Sequence, residues 1–173
     1  RALPAASTAH VGLGAVAYQR GDFDTALQHL TEGLRLCRQF GNPDSLANGL
    51  ATLAWIRRAQ GDLPAALAAM DEAVRASDPT VVDLLNSVPA QRARLLLAQG
   101  DVAAAARWTE ERGLAADDES SYPREPAYVL LARVLLAQDQ PDQALRILDR
   151  LHAAAVAQDR TGSVIEIRAL RAV

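Results

Sequence analysis

The chain has 173 residues, enough for one domain of ordinary size; half of them are hydrophobic and only 4% aromatic. Ala and Leu dominate the apolar set, which favours helices packed closely through small side chains over a sheet rich in Val, Ile and Tyr. Net charge is −3 and all 18 basic residues are Arg, so there is no electrostatic drive towards duplex DNA and no lysine for a Schiff base or a phosphate loop.

Apolar periodicity predicts helices near residues 5–20 and 23–40, closed by Gly41-Asn42-Pro43-Asp44. A second pair is expected near 44–60 and 63–77, ended by Ser77-Asp78-Pro79. A third covers about 80–99, with a break or bend at Pro89, and 102–113. A loop, 115–126, carries Asp117-Asp118-Glu119-Ser120-Ser121. The fourth pair lies near 126–138 and 141–158. A last helix begins near Gly162 with Val164, Ile165, Ile167, Leu170 and Val173 but no helix to pair with, so its apolar face is expected to be partly exposed or to mediate self-association. No apolar stretch approaches the roughly 18–20 residues of a membrane span. Cys37 is the single cysteine, which excludes an intrachain disulfide and suits the cytoplasm. The start lacks both Met and a signal-peptide pattern, and the end falls inside a helical pattern; the chain reads as a domain excised from a longer protein.

The pairs are copies of one unit. Gly21-Asp22, Gly61-Asp62 and Gly100-Asp101 each separate two helices, and Asp139-Gln140 stands at the fourth equivalent place. Gly can end a helix in a left-handed conformation, and the following Asp can cap the next one. The anchoring alanines Ala26, Ala66, Ala105 and Ala144 recur at intervals of 40, 39 and 39 residues. Seven residues before each turn residue lies another small one: Gly14, Ala54, Ala93 or Ala132. Gly33 and Ala73 mark a third close approach. These small positions match the tetratricopeptide pattern, although its usual period is about 34 residues. Ala17, Arg57 and Leu96 replace its first-helix Tyr, a departure from standard peptide-binding repeats. The expected architecture is all-α: four helix pairs plus a terminal helix in one superhelical solenoid, with repeats near 5–41, 44–78, 80–114, 126–158 and a partial one at 162–173.

In such a stack the first helix of each repeat lines the concave face. The inward positions are Thr8, Val11, Ala15 and Tyr18; Asn48, Ala51, Trp55 and Arg58; Ser87, Ala90, Arg94 and Leu97; and Pro126, Val129, Arg133 and Leu136. Trp55, Arg94 and Arg133 are equivalent, as are Tyr18 and Arg58. Tyr18, Trp55, Arg58, Arg94 and Arg133 therefore form the candidate ligand-binding set. Aromatic rings stack on sugar faces or apolar groups, and Arg grips carboxylate or phosphate. The competing reading packs Trp55 between helices and pairs the arginines with nearby acids.

Other residues read as structural. Trp108 has the spacing of a packing residue. Asp117-Asp118-Glu119 lacks the alternating ligands and Gly of a calcium loop and reads as solvated or capping, with Tyr122, Arg124 and Glu125 ordering the loop. His10, His29 and His152 are read as lying in different repeats, without zinc spacing. Cys37 reads as a small hydrophobe. No constellation for catalysis appears, and no metal or cofactor is expected.

The second half resembles a known family. Trp108, Gly113-Leu114, Asp117-Asp118, Tyr122, Arg124-Glu125 and Tyr128-Val129-Leu130-Leu131-Ala132-Arg133-Val134-Leu135-Leu136-Ala137-Gln138 carry the likeness. Ala144-Leu145, Leu148, Arg150-Leu151 and Arg160-Thr161-Gly162-Ser163-Val164-Ile165-Glu166-Ile167 extend it. Together they look like the helical-repeat region of the large ATP-dependent LuxR-type, MalT-like transcriptional regulators. Repeat one also fits, through Ala9-His10-Val11-Gly12-Leu13-Gly14 and Arg20 to Ala26.

The resemblance implies a right-handed superhelical sensor region between an ATPase module and a helix-turn-helix domain. It would receive a small-molecule inducer or a regulatory protein and bias the regulator towards an active oligomer. The chain itself carries no phosphate-loop motif and no recognition-helix pattern on a basic background. It is therefore expected to be non-catalytic and to make no direct nucleic-acid contact. The alternative is a free-standing tetratricopeptide scaffold for protein–protein interaction.

Overall fold

The computed structural model describes residues 4–77, 87–118 and 122–172. The described residues form α-helices and one short 3-10 turn, with no strand among them. The chain divides into two compact units, residues 1–82 and 83–173.

The first unit holds α1 (Pro4–Gln19), α2 (Phe23–Phe40), α3 (Pro43–Ala59) and α4 (Leu63–Ala76). α1 packs on α2, α3 on α4, and α3 also against both helices of the first pair. The second unit holds α5 (Val88–Ala98), α6 (Val102–Glu111), a 3-10 turn (Tyr122–Arg124), α7 (Glu125–Ala137), α8 (Pro141–Ala157) and α9 (Thr161–Arg171). There α5 packs on α6, α7 on α8, and α7 also on both α5 and α6, while α9 lies on α8. Such short turns between helices make antiparallel neighbours, and this successive pairing is the packing of a helical-repeat solenoid.

The turn inside each pair has a common construction. Gly21, Gly61 and Gly100 have φ of 77°, 82° and 89°, the left-handed region that a Cβ disfavours. The next residue caps: Oδ1 of Asp22, Asp62 and Asp101 accepts the backbone N–H of Thr25, Ala65 and Ala104 at 3.1, 3.1 and 2.9 Å. In the fourth pair Asp139 takes the left-handed conformation itself, with φ 59°, and Gln140 supplies no side-chain cap. The geometry of the turn is thus kept where its two preferred residues are lost.

The small positions are close-approach points. A Cβ on Gly14 would stand 2.8 Å from Cγ of Leu30, and one on Gly33 would stand 3.0 Å from the backbone nitrogen of Val11. Ala54, Ala93 and Ala132 hold the equivalent place and are buried, as are all four anchoring alanines. Ala17, Ala26, Leu30 and Ile56 form one core of the first unit, with Tyr18 and Phe23 against it. In the second unit an alanine-rich core of Ala90, Ala93, Ala105 and Ala106 meets Leu130 and Val134. A bulkier core follows, where Tyr128, Leu135, Ile147, Leu148, Leu151 and Ile167 join α7, α8 and α9. Cys37 is buried.

Of the break or bend expected at Pro89, the described residues show a helix start: α5 begins at Val88 after extended Ser87. The Ser87 hydroxyl caps α5 by accepting the Ala90 N–H, and Pro89 lies in the first turn, where its missing N–H costs nothing. The segment 80–86 of the expected helix lies outside the described residues. Proline occupies the same early position in α3, α4, α7 and α8.

The terminal helix is better buried than its missing partner suggests. Ile167 and Leu170 are inside the core with α7 and α8, and Val164 packs partly against it. Of the described apolar residues expected on this face, Ile165, 65% exposed, is what remains open; Val173 lies outside the described residues. Among the described residues no helix is long and apolar enough to cross a membrane.

Candidate functional site

The second unit contains a groove of about 200 Å³ between α5, α7 and α9. Its charged and polar lining comprises Gln91, Arg94, Glu125, Arg133 and Glu166, over an apolar floor that includes Val129 and Leu130. Arg94 and Arg133 occupy equivalent first-helix positions of successive repeats, so the repeat itself sets two guanidiniums along one groove. Nη2 of Arg133 donates to Oε1 of Glu166 at 3.0 Å. That acid comes from α9, 33 residues further on, and no local spacing announces it. The other groove carboxylate, Glu125, is buried and bonds the guanidinium of Arg160. Nε of Arg133 is buried without an acceptor. A buried donor left unpaired costs about 1–3 kcal/mol, and an incoming carboxylate or other oxygen-rich group would recover that cost.

The first unit holds the other three residues of the expected set. Trp55 is half-buried on α3, and exposed Arg58 lies one turn on, its guanidinium carbon 5.7 Å from the ring centroid. This is cation–π distance and stiffens the pair. Tyr18 is half-buried at the end of α1 and stacks on Phe23 of α2, with centroids 6.2 Å apart and planes tilted 22°. Its ring therefore braces the α1–α2 turn and presents only part of its surface. Arg94 and Arg133 thus share one groove, Trp55 and Arg58 form a second local pair, and Tyr18 stands by its own turn.

Four of the other inward positions are core: Val11, Ala51, Ala90 and Val129. Val11 is buried between α2 and α3, where Gly33 and Gly49 leave room for it, and Ala51 is fully buried as well.

The histidine reading requires correction. His10 and His29 lie on the two helices of one repeat and meet, Nδ1 to Nδ1, at 3.1 Å. One ring must donate and the other accept, so doubly charging the pair would break it. His152 accepts from Nε of Arg168 at 3.2 Å. Their separation in sequence hid the first contact, which the α1–α2 pairing creates. Among the described residues no group of three metal-ligating side chains assembles.

The acidic loop has a structural role at one residue. Oδ2 of Asp118 accepts from the Ala115 N–H and from the Tyr128 hydroxyl, each at 2.9 Å. These two bonds, the backbone one first, hold its carboxyl below the ordinary 3.8. Burial, and then the bond to Asp118, raise the Tyr128 hydroxyl above 10.0. Arg160 lies over the Tyr122 ring at 4.8 Å, and Arg124 over the Tyr128 ring at 5.4 Å. The expected ordering by Tyr122, Arg124 and Glu125 therefore runs partly through a residue 35 positions later. Glu119 lies outside the described residues.

Helix pairs with small residues at their close approaches define a helical-repeat module of the tetratricopeptide type. A family model described as the MalT-like TPR region matches residues 1–173, and the chain belongs to that family. Searches of curated proteins and of solved structures gave no significant match.

Proposed function

We propose that this chain is the sensing region of a cytoplasmic LuxR-type transcriptional regulator. It receives a small-molecule inducer or a regulatory protein and biases the regulator towards its active, oligomeric form. It does so by binding alone, with no cofactor and no contact with nucleic acid. The observation that carries this reading is the α5–α7–α9 groove. Arg94 and Arg133 share it, and the buried Nε of Arg133 lacks an acceptor. Family membership over the whole chain supports the regulator context.

A ligand's anionic group enters this groove and competes with Glu166 for Arg133. Because Glu166 sits on α9, occupancy loosens or shifts the helix whose exposed Ile165 edge faces outward. Self-association through that edge is the output in this reading. Trp55 and Arg58 offer a second contact surface with an aromatic face and a positive charge, and Tyr18 adds a partly open ring.

The test is a thermal-shift screen of anionic metabolites against the chain, followed by calorimetry on hits. Arg94→Ala or Arg133→Ala should weaken a groove ligand by about 1.5–3 kcal/mol, the value of a charged hydrogen bond. Trp55→Ala should cost roughly 1–3 kcal/mol if its ring contacts the ligand. Undiminished binding in all three folded variants would move recognition off these residues. A full-length regulator that responds normally with Arg94 and Arg133 both replaced would remove the groove from signalling.

A further inference from the structure

A second concavity in the same unit has different chemistry. α6 ends at Glu111, and Gly113, with φ 61°, turns the chain back towards the 3-10 turn. These segments and the first turns of α5 and α7 enclose a cavity of about 210 Å³. Leu114, Pro123, Pro126 and the Trp108 ring give it apolar walls. Two guanidiniums line it, and each lies on an aromatic ring. Arg112, one turn after Trp108, has its Cζ 5.5 Å from that ring, and Arg124 lies over Tyr128. The described lining includes no carboxylate, whereas the α5–α7–α9 groove has Glu125 and Glu166 among its walls.

Trp108 supplies an independent pointer. Its Nε1 is buried and has no hydrogen-bond partner. Buried indole N–H groups normally find an acceptor, and the side chain that carries this one is part of the cavity lining. The volume is below the roughly 300–1,000 Å³ of sites for drug-sized molecules, so the occupant is fragment-sized.

We propose that this cavity binds a small monoanion with an apolar body, of the aryl- or branched-alkyl-carboxylate class. The body packs against Trp108 and the two prolines. The carboxylate lies at Arg112 and Arg124 and accepts the indole N–H. The stacked guanidiniums are held in place before binding, which reduces the ordering cost. This site goes beyond the sensing role proposed above and stands whether or not the groove signals. It shares Ala90 and Pro126 with the groove but none of its arginines.

The chain has two tryptophans, so Trp55→Phe leaves Trp108 as the sole indole reporter. Phenylacetate, titrated into this variant, should change Trp108 emission saturably, and calorimetry on the unaltered chain should give the same dissociation constant. Phenylacetamide, which lacks the charge, and acetate, which lacks the body, should each bind at least about tenfold more weakly. Arg124→Gln, with unchanged helicity, should weaken phenylacetate by about tenfold or more, while Arg94→Ala should leave it unchanged. No saturable response up to about 20 mM phenylacetate, well above the millimolar affinity a fragment can reach, overturns the proposal. So does equal binding of phenylacetamide. An effect of Arg94→Ala as large as that of Arg124→Gln would instead place the anion in the groove and likewise overturn this site.

Discussion

Glu125 and Arg160 form a buried ion pair that ties the first turn of α7 to the turn before α9, with side chains only 10% and 15% exposed. Arg160 also donates to Oγ of Ser163 at 3.1 Å and covers the Tyr122 ring. One guanidinium thus holds three segments of the second unit. Removing a single partner from such a pair leaves an uncompensated charge with little water to solvate it. Arg160→Met should therefore destabilise the second unit by roughly 3–5 kcal/mol, whereas Glu125→Gln/Arg160→Met together should cost clearly less than the sum of the singles. Urea unfolding of both singles and the double checks this. Additive losses would mean that the two side chains act separately.

Two glycines of α1 make an opposed pair. A Cβ at Gly12 meets nothing within 4 Å, and one at Gly14 runs into Leu30. Gly12→Ala should stabilise the chain by about 0.5–1 kcal/mol through helix propensity. Gly14→Ala gains the same propensity but overpacks the α1–α2 crossing at a cost of about 1–3 kcal/mol, for a net loss. The two unfolding midpoints should move in opposite directions. Movement in the same direction would remove the steric reading of Gly14.

That contrast bears on what the sequence could reveal. Gly14 was recognisable as a crossing point because it falls in register with Ala54, Ala93 and Ala132, and a period reports backbone packing directly. The Gly-Asp turns were legible for the same reason, since each residue type answers a local backbone demand. Side-chain partners supplied by another repeat were not legible. Arg94 and Arg133 could be aligned with each other, but Glu166 reaches Arg133 from a helix outside their repeats. The Trp108 cavity is assembled from α5, α6, the segment before α7 and the first turn of α7, so no single stretch of sequence announces it. A proline looks alike at a kink and at a helix start, so the sequence leaves Pro89 as a break or bend; the hydroxyl cap from Ser87 makes it a helix start.

The fourth turn is open to repair by the residues of the other three. Asp139 holds a left-handed φ that costs an L-residue about 1–2 kcal/mol, part of which Gly would return to the unfolded state as entropy. Asp139→Gly should therefore stabilise by roughly 0.5 kcal/mol. Gln140→Asp should add about 0.5–2 kcal/mol by capping α8. Thermal unfolding of the single and double variants measures both steps. A destabilised double variant would mean that Asp139 makes a compensating interaction absent from the other turns.

The Asp118–Tyr128 hydrogen bond predicts loss of stability at both extremes of pH. Asp118 titrates below 3.8 in the folded chain. As pH falls from 3.8 towards that lower value, the unfolded state binds the proton more readily, so the contribution present at higher pH is lost. Tyr128 titrates above 10.0 in the folded chain. As pH rises through 10.0, the unfolded phenol ionises first, and the contribution present below that pH is lost as well. Tyr128→Phe removes the hydroxyl from both arms while keeping the ring. The alkaline arm should disappear from this residue, and the acid arm should shrink to the share that the Ala115 N–H supports. The stability difference between the unaltered chain and Tyr128→Phe should be level between about pH 5 and 9 and decline on either side. Denaturant titrations across the range give this difference directly. A difference that stays level through both ends would mean that the hydroxyl does not bond the Asp118 carboxylate in solution.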